Sequence, residues 1–178
     1  MSHRINILSN FVSKEDCDLG IKLINQYKNN NELIAFKDNP NVLIAPQTNA
    51  VTDLLKKYSI LINKEHKKYN GFIPQLYTTE GFLSLWENKT SAGVHVDSHK
   101  GYEFLQFATI FYLNDDFEGG KLFFPNQNYI YKPKKGDAVI FPCGGTEYPH
   151  GVTEVKNGLR YTIAMWHTSH GKISKELN

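Results

Sequence analysis

Two cysteines in 178 residues are too few for a disulfide framework, so the chain does not read as a stapled secreted scaffold. Long apolar runs are missing as well. No stretch approaches the roughly 20 residues that a membrane-spanning helix needs, and the opening Met-Ser-His-Arg-Ile-Asn leads into no apolar segment of the signal-peptide kind. A cytoplasmic setting is the expectation. Charge of one sign is also scarce. Twenty Lys and Arg against 18 Asp and Glu leave a formal net charge of +2, which argues against a membrane surface or nucleic acid as partner. Lys64, Lys67 and Lys68 form a small basic cluster that reads as a solvated helix face. What the chain does have is aromatic residues. They make up 13% of the sequence, and many fall in short apolar runs of the kind that favour strands. Size and composition, with 40% apolar and 21% charged residues, fit one globular domain over 1–178.

The pattern changes near residue 71. Before it, residues 5–8 read as a short strand, and Ser13 as the N-cap of a helix with Glu15 and Asp16 in its first turn. Cys17, Ile21, Ile24 and Tyr27 or Lys28 then recur at helical spacing, until Asn29-Asn30-Asn31 ends the stripe. A second helix fits Asn49 to about Tyr69, with Val51, Leu54, Leu55, Tyr58 and Ile62 on one face, and Asn70-Gly71 stops it. After that come short β segments, near 72–77, 81–87, 93–97, 104–113, 120–124, 129–132, 137–141, 148–155 and 160–167. Turn signals such as Glu118-Gly119-Gly120 and Asn157-Gly158 separate them. Such spacing predicts a sandwich or small barrel. The stretch 104–113 is apolar on both faces, so one face is expected toward a lumen and the other under the helices.

Chemistry concentrates in His95-Val96-Asp97, His150 and Arg160. Two histidines and one carboxylate are the ligand set of a facial triad that holds non-haem Fe(II) and leaves positions open. In a strand, residues i and i+2 point the same way, so His95 and Asp97 can share an ion. On the last strand, Arg160, Thr162, Ala164 and Trp166 fall on one face, and Tyr161, Ile163 and Met165 on the other. A buried arginine is costly unless an anion meets it. The far carboxylate of 2-oxoglutarate can take a bidentate guanidinium contact, helped by the Thr162 hydroxyl. The bland readings are that Arg160 pairs with an acid such as Glu154, and that Tyr112 and Trp166 are packing residues. His99 reads as a loop residue, while His3, His66, His167 and His170 gain no role. No partner suggests Cys143 as a nucleophile, and Asp115-Asp116-x-Glu118 lacks calcium-loop spacing and reads as a turn.

These residues carry a resemblance that spans nearly the whole chain. His95-x-Asp97, Tyr112-Leu113-Asn114, Glu118-Gly119-Gly120, Pro133-x-x-Gly136-Asp137-Ala138 with Phe141, His150-Gly151 and Arg160 resemble the Fe(II)- and 2-oxoglutarate-dependent dioxygenases, within them the prolyl 4-hydroxylase-like group. The opening Asn10-Phe11-Val12-Ser13 through Cys17 is similar too. The resemblance implies a mainly β fold, a double-stranded β-helix (jelly roll) core over about 71–170, with N-terminal helices over about 1–70 packed on one sheet. It implies oxidative decarboxylation of 2-oxoglutarate to succinate and CO2, coupled to hydroxylation of a C–H bond by O2, with ascorbate supporting activity. His95, Asp97 and His150 would be the iron ligands and Arg160 the cosubstrate anchor. Tyr112 matches a tyrosine that bonds the same carboxylate in some relatives, and Trp166 an aromatic position near the metal. Two departures stand out. Trp86 occupies the place of a tyrosine near the cosubstrate, and a tryptophan can donate a hydrogen bond but not accept one. Lys121 replaces the usual acidic or Thr residue after the Gly-Gly pair.

The expected activity is therefore hydroxylation of an unactivated carbon, in first place a prolyl residue of a peptide or protein. One rival keeps the chemistry but changes the substrate to a free amino acid, a small metabolite or a nucleic-acid base. The other is a non-catalytic cupin-like binding module, against which the complete ligand set and Arg160 speak.

Overall fold

In the computed structural model, residues 4–69 and 75–171 are described. Strand β1 (Asn6–Leu8) leads into helix α1 (Lys14–Asn29). Ser13 is its N-cap: extended in backbone, it accepts the Asp16 N–H through Oγ at 3.2 Å. That meets one of the orphan donors of the first turn. Cys17, Gly20, Ile24 and Tyr27 face inward, one stripe at helical spacing. A Cβ on Gly20 would lie 2.7 Å from Leu113 Cδ1, so the glycine lets α1 rest directly on the sheet beneath. Helix α2 (Asn49–Tyr69) buries Val51, Leu54, Leu55, Tyr58 and Ile62, the face its periodicity predicts. The Asn70-Gly71 stop lies outside the described residues.

A hairpin between the helices, β2 (Ile34–Phe36) and β3 (Asn39–Ile44), has no counterpart in the sequence reading. Its signal is weak for a physical reason. Val42 is the one fully buried residue of the two strands, and Pro40 within β3 argues against a strand in ordinary reading.

The remaining strands are β4 (Tyr77–Trp86), β5 (Ala92–His95), β6 (Phe107–Tyr112), β7 (Glu118–Gly119), β8 (Leu122–Phe124), β9 (Tyr129–Tyr131), β10 (Ala138–Pro142), β11 (His150–Val152), β12 (Val155–Asn157) and β13 (Arg160–Thr168). They form a large sheet in the order β1-β10-β6-β13-β4-β3-β2, a smaller one ordered β5-β11-β8-β9, and the pair β12-β7. Pairing is antiparallel throughout. From β4 onward the chain crosses repeatedly between the large and small sheets, which is the winding of a double-stranded β-helix. The expected jelly roll with helices on one sheet is thus what forms. Two expected segments differ. The segment at 81–87 belongs to a longer β4 that starts at Tyr77, and 72–74 lie outside the described residues. The single segment at 148–155 divides into β11 and β12, which join different sheets.

Two cores follow from the alternation along β6, β4 and β13. Phe111, Leu83, Leu85, Ile163 and Met165 point outward, pack under α1 and α2, and are 0% exposed. Each such burial stabilises by about 1.5–3 kcal/mol, so the helices fix the sheet that carries Arg160 without contributing a ligand. Ala108, Tyr112, Phe124 and Phe141 form the second core, between the sheets. Under α2 lies a polar inclusion. The His167 ring sits between Thr78 Oγ1 at 3.2 Å and Thr109 Oγ1 at 3.0 Å, with His66 edge-on at 5.0 Å. Burial draws the His66 imidazole down to about 4.

Candidate metal centre and cosubstrate pocket

His95 and His150 face each other directly across β5 and β11, with ring centroids 4.5 Å apart. Asp97 stands just past the end of β5. Its Oδ1 lies 3.6 Å from His95 Nε2 and 3.7 Å from His150 Nε2, and ligand atoms of the three residues all lie within 4.8 Å of one another. Nitrogen and oxygen donors bind such ions at about 2.0–2.2 Å, so two donors on one ion stand at most about 4.4 Å apart. Both carboxylate–imidazole spacings fall within that reach.

The proton positions agree. His95 Nδ1 donates to the Gly93 carbonyl at 2.8 Å, and His150 Nδ1 to the Tyr148 carbonyl at 3.2 Å. A carbonyl only accepts, so these contacts keep the proton of the neutral ring on Nδ1 and turn each Nε2 lone pair toward Asp97. Two lone pairs and a carboxylate aimed at one point repel unless a cation stands between them. These residues therefore fit a bound metal ion. The electrostatics divide the two histidines: hydrogen bonding to Asp97 raises His95 above the usual histidine range, whereas burial draws His150 below it. Burial pushes the Asp97 carboxyl up, but the His95 contact and the nearby His150 charge outweigh it and hold the carboxyl low.

The three residues open into a cavity of about 630 Å³ between the sheets. Its floor is a ladder of four cross-strand pairs from β4 and β13: Trp86 with Arg160, Ser84 with Thr162, Phe82 with Ala164, and Glu80 with Trp166. At the first rung Arg160 is 2% exposed and forms no ion pair among the described residues. The alternative pairing with Glu154 is therefore not what forms. The guanidinium carbon lies 4.7 Å from the Trp86 ring centroid and 5.2 Å from that of Tyr112. Arg160 Nε, Trp86 Nε1 and Tyr112 Oη are all buried without a hydrogen-bond partner. Burial raises the Tyr112 phenol against the pull of Arg160, so it stays a protonated donor. A buried donor left unmet costs about 1–3 kcal/mol. Two of them beside the cation, and a third on the guanidinium itself, fit an anionic ligand.

The other candidates fall into place around this floor. Thr162 Oγ1 and Ser84 Oγ are 2.8 Å apart and both line the cavity. Ser84 went unnoticed in the sequence, because its partnership depends on the β4–β13 register. Trp166 lines the cavity with its ring 5.2 Å from that of Phe82, and Phe36 of the β2–β3 hairpin adds a further ring 4.9 Å from Phe82. Lys121 is exposed and is not part of the lining. His99 is an exposed loop residue at the cavity edge. Cys143 is buried, and burial pushes its thiol far up, which removes it as a nucleophile.

A double-stranded β-helix with a His-x-Asp and a distant His converging beside a buried arginine defines a non-haem iron oxygenase site. Residues 81–168, which carry His95, Asp97, His150 and Arg160, match the 2OG-Fe(II) oxygenase superfamily, and the chain is similar to prolyl hydroxylases within it. A stretch of 72 residues, 38% of the chain, is 43% identical to prolyl 3-hydroxylase 3 of Mus musculus and covers 10% of that protein. The chain thus spans about a tenth of the length of the curated relatives it matches. Among solved structures, a prolyl-4-hydroxylase of Pseudomonas putida is similar at TM-score 0.76 and 16% identity, over 96% of this chain and 95% of that one. A prolyl hydroxylase in complex with a hypoxia inducible factor oxygen degradation domain peptide fragment, from Trichoplax adhaerens, is similar at TM-score 0.76 and 16% identity, over 98% and 89%. At such identity the likeness is one of fold. Among the described residues no helix is long and apolar enough to cross a membrane.

Proposed function

We propose that this chain is an Fe(II)- and 2-oxoglutarate-dependent oxygenase that hydroxylates a prolyl residue of a peptide or protein, releasing succinate and CO2. The observation that carries the reading is Arg160, a fully buried cation with no counter-ion among the described residues, lining the same cavity as the His95–Asp97–His150 cluster. A metal site alone serves many ends. Together with an unanswered guanidinium it calls for a ligand that is both chelator and anion, and 2-oxoglutarate is such a ligand. The relatives named above support a peptide or protein as the prime substrate. A cytoplasmic setting accords with the two cysteines, both free and buried, and one domain accords with the shared cores.

When bound, iron supplies O2 activation coupled to decarboxylation of 2-oxoglutarate, one oxygen atom going to succinate and the other into the C–H bond. The protein's part is positional. His95 and His150 are held by their Nδ1 contacts so that each Nε2 is available, and Asp97 completes the face. Arg160 takes the far carboxylate of the cosubstrate, with Trp86 Nε1, Tyr112 Oη and Thr162 Oγ1 as additional donors. Ala108, Ile110, Phe82 and Ala164 wall the cavity with apolar surface, which excludes water and strengthens those charged contacts. The test is a mass gain of one oxygen atom on a proline-containing peptide, measured with succinate release. Dependence on both iron and 2-oxoglutarate is expected. If free amino acids or oligonucleotides are oxidised while every peptide is refused, the prolyl-peptide reading falls. If 2-oxoglutarate is never consumed, the chain is a binding module.

A further inference from the structure

Strand β5 is the end strand of the smaller sheet, and among the described residues it pairs with β11 alone. Its second long edge therefore carries main-chain N–H and C=O groups that no strand of the described residues covers. Seven consecutive residues from Ser91 to Asp97 line the cavity. Alternate side chains of a strand point to opposite faces, so a face turned to the cavity would contribute every second residue. An unbroken run is what a cavity that follows the edge of the chain gives, and the Gly93 carbonyl within it already accepts from His95 Nδ1. The same run ends on two of the metal-binding side chains, His95 and Asp97.

Two further observations sit on this edge. Gly93 is in mid-strand, where glycine weakens a strand and often marks close approach of another backbone. Nothing in the packing requires it, since a Cβ built there meets no atom within 4 Å. Val94 beside it is 56% exposed, an apolar side chain on an open edge, which is the arrangement that invites an added strand. The edge is also anchored at its start. Asn39 Nδ2 donates to the Ser91 carbonyl at 2.8 Å, and Thr90 Oγ1 to the Asn41 carbonyl at 3.3 Å, so the β2–β3 hairpin holds the approach to β5 in place.

We propose that β5 binds the polypeptide substrate by main-chain pairing, the substrate lying as an added strand along the Ser91–Asp97 edge and presenting its target residue at the metal centre. Main-chain pairing supplies affinity with little regard to sequence, and pockets for alternate side chains supply selection. A prolyl target suits this mode at a defined register. Proline has no N–H to give, so it must occupy a position whose amide points away from β5. This inference rests on the proposed peptide substrate.

The test is an N-methyl scan of a proline-centred heptapeptide, each amide blocked in turn, with binding measured by calorimetry to the Zn(II)-loaded protein carrying 2-oxoglutarate. Losses should alternate along the peptide, about fivefold for each pairing amide and near none for its neighbours, since one net hydrogen bond is removed each time. Backbone hydrogen exchange over 91–97 should slow when the unmodified peptide binds. Gly93→Val should weaken peptide binding without lowering the melting temperature. Peptide binding with no two-residue alternation and no slowed exchange overturns the strand-pairing inference and leaves the peptide reading standing. If no peptide binds while a free amino acid does, the peptide reading fails and the inference with it.

Discussion

Replacing Arg160 with methionine should make the cosubstrate-free protein more stable and the cosubstrate-loaded protein less so. Arg160 is 2% exposed, its Nε has no partner, and no carboxylate among the described residues answers its charge. Burial accordingly draws the guanidinium below its usual range. Exchanging buried ionic groups for hydrophobes of similar volume commonly stabilises by about 1–4 kcal/mol, and in a chain of this length each kcal/mol is worth about 2–4 °C. Without 2-oxoglutarate, the variant should therefore melt several degrees above the parent. The same change deletes a charge-assisted contact worth about 1.5–3 kcal/mol, which is a loss of about 10- to 150-fold in affinity for 2-oxoglutarate. At a ligand concentration of about 100 times Kd, the parent gains about 2.7 kcal/mol by linkage. A variant with its Kd raised about 100-fold gains only about 0.4 kcal/mol there. The order of melting temperatures should then narrow or reverse on adding the cosubstrate. Calorimetric melting with and without 2-oxoglutarate, under anaerobic Fe(II), reads both effects. A methionine variant that melts lower in both conditions, or that keeps full affinity for 2-oxoglutarate, would refute the reasoning.

Asp97→Ala should reduce metal retention by more than about 100-fold, since changes to mere supporting groups already cost 10–100-fold; metal content after dialysis measures it. Metal affinity should begin to fall at a pH above about 6.5 and go on falling below it, because both imidazoles must be neutral to ligate and His95, the raised one, takes a proton first. An affinity that is flat from neutral pH to pH 5 would count against histidine ligation. Stability should respond to acid through His66. Its pKa is about 4 in the fold against about 6.5 unfolded, so between those values the unfolded chain binds a proton that the folded one refuses. That contribution is fully present above pH 6.5 and is lost on the way down to pH 4, by about 3 kcal/mol; denaturant unfolding at stepped pH should show it, and His66→Phe should flatten the dependence. Phe111→Ala, at a position 0% exposed between Phe11 and Tyr58, should cost about 3–5 kcal/mol in urea unfolding.

What the sequence disclosed follows from the range of each signal. Helices α1 and α2 were legible because caps and apolar stripes are local. The convergence of His95, Asp97 and His150 beside Arg160 was legible because these residues keep a characteristic order, and the alternation from Arg160 to Trp166 placed the cavity face of β13. The β2–β3 hairpin was not, since its strands bury little and one holds Pro40. Ser84 and Phe36 joined the cavity only through registers, and no local pattern states which strand lies beside which. The division of 148–155 into β11 and β12 escaped for a related reason: alternation persists when a chain passes from one sheet to the next. Trp86, marked in the sequence as an oddity, gained meaning from Arg160 being its cross-strand partner.

The opposition of His95 and His150 has a mechanical corollary. Among the described strands β5 pairs with β11 alone, so an ion held by both imidazoles would act as a rivet, closing a loop of considerable length between two residues far apart in the chain. Stripping it with a chelator would loosen the outermost strand and blunt the border against which a visiting chain must lie. Loading the metal and receiving a polypeptide would then be reciprocal events, each tightening the grip on the other.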